Sequence, residues 1–160
     1  MDIRPPAKQI SERGLKVWRI TGIINSAILW LLIGGGAAAV YFFDWPWWYV
    51  WAAAVLVLAV TILNIVVIPS IRWKRWRYEV TEHEIEVQHG VFIVQRTLVP
   101  MVRVQHVDTS QGPILKKYNL ATVSISTAAT VHQIPALDMH EAEELRRSIS
   151  ALARVAEDDV

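Results

Sequence analysis

"IPSIRWKRWRYEV", residues 68–80, is where this chain changes solvent. Residues 45–68 carry no charge, and then Arg72, Lys74, Arg75 and Arg77 follow in quick succession, interleaved with Trp73, Trp76 and Tyr78. An apolar helix leaving lipid for water needs this mixture, because the cations stay hydrated while the amphipathic rings settle among headgroups. The stretch therefore reads as a membrane exit, and the sequence divides around it.

Of the 160 residues, 53% are hydrophobic and 19% charged, an average that conceals two unlike halves. From Ile20 to Ile71 the sole charge is Asp44, whereas charged and apolar residues alternate in the remainder. Segments 20–43 and 45–68 hold 24 residues each. At the rise of an α-helix each reaches about 36 Å, against a hydrocarbon core of about 30 Å. Asp44 alone separates them, and Pro46 is tolerated in a first helical turn, so a tight antiparallel hairpin over 20–71 is expected. Two buried helices of a soluble core would need a far larger protein to cover them. Ala37–Ala39 offers a signal-peptide cleavage pattern, but the apolar run is too long and a second span follows at once.

Arg4, Lys8, Arg13, Lys16 and Arg19 precede the first span, four cations follow the second, and the connection has none. By the positive-inside rule both termini are cytoplasmic, with 1–19 an N-terminal segment, 72–155 a cytoplasmic domain and 156–160 an acidic tail. Trp18, Arg19, Trp73 and Trp76 fall at the inner interface with Arg72, Lys74, Arg75 and Arg77, while Trp45, Trp47 and Trp48 fall at the outer one. Folding the hairpin about Asp44 sets Gly34–Gly36 at the depth of Ala52–Ala54, so Gly35 and Ala53 permit close backbone approach. It also sets Asn25 at the depth of Asn64, where an interhelical hydrogen bond is worth about 0.6 to 2 kcal/mol; the alternative is that each amide reaches interfacial water or another helix.

From Arg75 onward the apolar period becomes two. Tyr78 and Val80, Ile85 and Val87, then Val91 and Ile93 read as strands, with "QHGV" at 88–91 a hairpin turn. "VRVQHVD" and "ATVSIST" continue the alternation, and a last short strand covers Val131 to Ile134. Between them Pro113 opens a short helix through Tyr118, which Asn119 can end in the left-handed conformation. Asp138 with Glu141 reads as a capping box before the apolar stripe Ala142, Leu145, Ile149 and Leu152, with Glu143 and Arg147 as an i,i+4 pair. The order is an antiparallel barrel or sandwich closed by one terminal helix.

The run "VPMVRVQHVDTSQGPILKKYNLATVSISTA" at 99–128, together with two N-terminal spans and a basic exit, resembles the YdbS-like family of bacterial pleckstrin-homology-like membrane proteins. The resemblance covers nearly the whole chain. It implies a membrane-anchored α+β protein: a transmembrane hairpin, then a pleckstrin-homology-like barrel capped by the C-terminal helix, on the inner face of a bacterial plasma membrane. It also implies a longer relative carrying repeated copies of the domain. Where the family often has glycine before the Leu-Ala strand, this chain has Asn119.

The chemistry on offer is sparse. With no cysteine there is neither disulfide nor thiolate nucleophile. His83, His89, His106, His132 and His140 lack metal-site spacing, so no metal or cofactor is expected. His106, Asp108 and Ser110 lie at i, i+2, i+4 on one strand, an arrangement that rarely converges into a triad. Pleckstrin-homology domains that hold phosphoinositides use cations on their first strands, whereas Glu79, Glu82, Glu84 and Glu86 stand there instead; like charge repels such a headgroup. "GPILKKY" at 112–118 either plugs the barrel or presents Ile114, Lys116, Lys117 and Tyr118 to a partner. The reading is a non-enzymatic assembly module. Its expected partners are membrane lipids and either a second copy or a larger pleckstrin-homology-like membrane protein, with no nucleic acid. Lipid-headgroup binding, or service to a transport or stress-resistance system, is the alternative.

Overall fold

The exit segment closes a helix and opens a sheet. In this computed structural model, which describes residues 4–158, the second long helix ends at Arg75 and strand β2 begins at Arg77. The chain forms two compact units, one from Trp18–Ser70 and the other from the flanking residues, through Val17 and from Ile71 onward.

The first unit is a pair of apolar helices. Helix α1 spans Glu12–Phe42, and the helix Trp48–Arg75 comprises α2 (Trp48–Ile62), a π-helical turn at Leu63–Val67 and α3 (Ile68–Arg75). Both are long and apolar enough to cross a membrane. The turn is looser than the sequence implies: Asp44 takes a left-handed conformation (φ 51°), and Pro46 precedes α2 instead of lying in its first turn. The π turn has a local cause in Pro69, which has no N–H to donate to the carbonyl four residues back and whose ring crowds that turn. Ser70 relieves the same region by donating to the Val66 carbonyl at 2.6 Å.

The close approach between these helices is not where depth matching puts it. Around Gly34, Gly35 and Gly36 an added Cβ would meet nothing within 4 Å, so they do not pack on Ala52–Ala54. Gly22 is the contact instead: a Cβ there would lie 2.5 Å from the Asn64 carbonyl oxygen. One turn on, Ser26 is buried at 3% exposure, so Gly22-x-x-x-Ser26 is the small-residue seam. Asn25 points outward, and among the described residues no hydrogen bond joins it to Asn64. A lateral tie is Trp30 Nε1 donating to Thr61 Oγ1 at 3.2 Å. Depth alone fixes only one of two coordinates; helical phase, shifted by the π turn, fixes the other. Gly22→Leu should therefore force the pair apart, because the obstructing atom is backbone, with a loss of about 1–3 kcal/mol visible as a lowered melting midpoint of the spans in detergent.

The second unit is a sandwich of two antiparallel sheets, and its first strand comes from before the spans. Strand β1 (Lys8–Gln9) pairs with β2 (Arg77–Val80), Gln9 opposite Arg77. The order in that sheet is β1-β2-β3-β4, with β3 at Glu84–His89 and β4 at Gln95–Pro100. The other sheet runs β5-β6-β7, from Val104–Ser110, Leu120–Thr127 and Val131–Asp138. A 3-10 turn at Met101–Arg103 links the sheets, and no ladder between β4 and β5 closes a barrel among the described residues. Residues 8–17 are thus part of the sandwich and not a tail, because Ile10 and Val17 are 3% and 5% exposed. Gly14, in the first turns of α1, meets the Ala136 side chain so closely that any Cβ would lie 2.5 Å from it. Ser11 N–H donates to the Ala136 carbonyl at 3.1 Å.

The core follows the alternation: Tyr78, Ile85, Val87, Val99, Val123, Ile125 and Ile134 are buried, together with Ala142, Leu145 and Ile149 of helix α5 (Met139–Asp158). The capping box dissolves on inspection. Asp138 ends β7 and takes the Arg13 guanidinium in an ion pair, while Glu141 accepts from the Tyr78 hydroxyl at 2.7 Å. Glu143 pairs with Arg146 at 2.9 Å instead of Arg147, and also accepts from Thr109 at 3.2 Å. The β3–β4 hairpin differs as well. Val91 and Ile93 lie in the five-residue connection 90–94, where Gly90 holds φ 133° and no side chain could fit, since a Cβ would stand 1.9 Å from the Ile93 carbonyl oxygen.

Candidate functional site

Helix α4 (Pro113–Lys117) settles its two roles by packing. Ile114, Leu115 and Tyr118 lie half-buried against the cluster of Val17, Leu120 and Ala136, whereas Lys116 and Lys117 are exposed. Ile114 and Tyr118 therefore commit part of their surface to the domain's own seam. Tyr118 also lends its carbonyl to Arg13 at 3.2 Å.

The residues expected at the membrane interface separate in the same way. Trp45, Trp47 and Trp48 stand 57%, 50% and 60% exposed around the helix turn. Arg19 is exposed and reaches Ser70 Oγ at 3.5 Å, and Trp18 is half-buried. Arg72 and Lys74 are exposed. Trp73 is half-buried and donates to the Ser11 carbonyl at 3.2 Å. Trp76 belongs to the sandwich, not to an interface: it is 5% exposed, its ring 5.4 Å from that of His89. Alternation decides this, since Trp76 and Tyr78 share the inward face of the chain entering β2. Arg75 donates to the Val91 carbonyl, and Arg77 is half-buried within β2.

The sandwich carries concavities among the described residues. A small cleft of about 320 Å³ is lined by Arg72, Trp76, His89, Gly90 and His132 among others. A broader groove of about 800 Å³ runs along β5, from Val102, Val104 and His106 to Ala128 and Ala129 of the β6–β7 turn and Ala153 of α5. Among the described residues β5 is hydrogen-bonded to β6 on one side only, and the groove lies at the start of that ladder, where Val104 pairs with Thr127. The register shift between Val104 and His106 leaves Gln105 unpaired in the ladder and exposed. Arg103, Gln105 and Thr127 also line the groove, so its wall is mixed polar and apolar. Separately, the unpaired edge of β5 is the kind of surface to which an extended segment can add.

Catalytic arrangements are not assembled. His106, Asp108 and Ser110 are exposed on β5, and no hydrogen bond links them among the described residues. No group of three or more His, Asp or Glu side chains gathers as a metal site among the described residues. His132 Nε2, at the start of β7, lies 2.8 Å from Thr130 Oγ1 of the preceding turn, a local contact.

A family model described as "Bacterial PH domain" matches residues 20–153. The chain belongs to this family. The bacterial PH domain described here is 59% identical over 155 residues to the UPF0699 transmembrane protein YdbS of Bacillus subtilis (strain 168), covering 97% of this chain and 98% of that one. It is 24% identical over 98 residues to the UPF0699 transmembrane protein YdbT of the same organism, 59% of this chain but 20% of the other. No solved structure matches it significantly. With a near full-length transmembrane relative and two helices of spanning length, this bacterial PH domain is a membrane protein. The sequence missed β1, the Gly22 seam and the β5 groove; only Ile10 and Val17, apolar residues in an otherwise polar leader, hinted at the first.

Proposed function

We propose that this bacterial PH domain protein is a multi-pass inner-membrane protein with both termini in the cytoplasm. Its sandwich docks an extended segment of a larger bacterial PH domain membrane protein along β5. The observation that supports this reading is the edge of β5 left without a strand partner among the described residues. Backbone hydrogen bonds would supply affinity to an added strand there, with the groove at the start of the β5–β6 ladder as its neighbour. The partner's class is suggested by YdbT, a transmembrane protein of which a fifth is similar to this chain. Two such proteins in one bilayer meet in a plane, which raises their effective concentration. The clustering of cations around both spans supports the orientation.

Ala129 is exposed in the β6–β7 turn, so Ala129→Trp fills the groove without entering the core. Affinity capture of the full-length chain from detergent extracts at native expression should recover the larger bacterial PH domain protein. Ala129→Trp should reduce that recovery at least tenfold at unchanged expression. Recovery of a lone monomer, or equal recovery with Ala129→Trp, would contradict the proposal.

A further inference from the structure

The β3–β4 connection carries a feature that strand docking does not use. Val91, Phe92, Ile93 and Val94 are four consecutive apolar residues, and Phe92, Ile93 and Val94 stand 91%, 77% and 47% exposed. A soluble surface rarely leaves an aromatic and an aliphatic tip side by side in water. Nor is this tip slack. Gly90 at φ 133° folds it back onto the Ile93 carbonyl, and the Arg75 guanidinium binds the Val91 carbonyl.

Strand register places the tip. Gln9 pairs with Arg77, Arg77 with Gln88, and His89 with Gln95, so these residues share one end of the sheet. The chain re-enters this unit at Ile71, and Arg72 lines one cleft with His89, Gly90 and Val91, so the 90–94 connection projects from the end where the chain returns. Charge is polarised along the same axis. Arg72, Lys74, Arg75 and Arg77 gather towards the attachment end, while Glu82 and Glu84 occupy the opposite end, around the β2–β3 turn. An anionic lipid surface attracts the first and repels the second.

We propose that the Val91–Val94 tip inserts into the lipid interface as a third attachment of the domain, with Phe92 and Ile93 among the acyl chains and the neighbouring cations on anionic headgroups. It would turn a domain tethered by two strands of chain into one with a fixed tilt on the bilayer, in the manner of interfacial apolar anchors.

The chain has no cysteine, so single labels are clean. Full-length protein with Ile93→Cys, Phe92→Cys or, as control, Glu82→Cys is labelled with an environment-sensitive fluorophore. Each is then reconstituted, one copy per disc, in nanodiscs of phosphatidylglycerol and phosphatidylethanolamine. Labels at 92 and 93 should emit to the blue and be quenched by lipids spin-labelled high on the acyl chain several-fold more than the label at 82. Quenching at 92 and 93 no greater than at 82 overturns the proposal. So does a blue shift that lipid spin labels do not quench, which would mean that protein covers the tip.

Discussion

Expressed without residues 4–17, the bacterial PH domain should not hold its fold in water. That short leader buries Ile10 and Val17 to 3% and 5% exposure and Pro6 below 2%. It also supplies β1, the Ser11 bond to Ala136 and the Arg13 pair with Asp138. Burying each aliphatic side chain contributes about 1.5–3 kcal/mol, so the leader is worth about 5 kcal/mol with its backbone bonds. A domain of this size has about 5–15 kcal/mol in all. Residues 71–158 alone should give a broad, non-cooperative melt by circular dichroism and rapid proteolysis. The same residues fused behind 4–17 through a flexible linker should melt cooperatively. Equal cooperativity in the two would show that the leader is dispensable.

Tyr78→Ala should come next in severity. Its ring is fully buried between the sheets, and removing so large a side chain from a core costs about 3–5 kcal/mol. Tyr78→Phe separates the hydroxyl from the ring: losing the bond to the Glu141 carboxylate should cost about 1.5–3 kcal/mol. The wild-type phenol is pushed well above its usual range near 10, first by burial and then by the hydrogen bond to Glu141 and its charge. A group whose value rises on folding stabilises fully below its unfolded value and loses that contribution as pH climbs through the folded one. Denaturant midpoints measured from neutral to strongly alkaline pH should therefore fall in the wild type above the ordinary tyrosine range. With Tyr78→Phe the fall should be shallower. Parallel curves would refute the assignment.

What the sequence makes legible follows the reach of each signal. The absence of charge from 45–68 marks a long apolar helix because it needs no partner to interpret, and period-two alternation identifies Ile85, Val87, Val123 and Ile125 as inward-facing for the same reason. The leader is illegible because two residues are too short a strand to show a period; only pairing with Arg77 and Tyr78 makes Lys8 and Gln9 a strand. The hairpin at 90 misleads because Val91 and Ile93 alternate as a strand would, while Gly90 turns the chain before any ladder forms. Asp138 and Glu141 match a helix start by spacing, yet Arg13 and Tyr78, distant in sequence, claim both carboxylates. Gly34–Gly36 invite a close contact that the helix phase does not deliver, and Gly22, unremarkable in sequence, does. The β5 groove is a property of a strand edge and a helix end brought together by the fold, which no local pattern records.

Gln9 pairs with Arg77, so the two long apolar helices are an insertion within one sheet, and under the proposed topology the chain crosses the bilayer twice between these two residues. The most direct test uses intact cells and a membrane-impermeant maleimide on full-length protein carrying single cysteines. Asp44→Cys should label from outside, whereas Lys8→Cys and Glu82→Cys should label only after permeabilisation. Opposite accessibility of positions 8 and 82, or protection of position 44 until the cells are opened, would contradict the account.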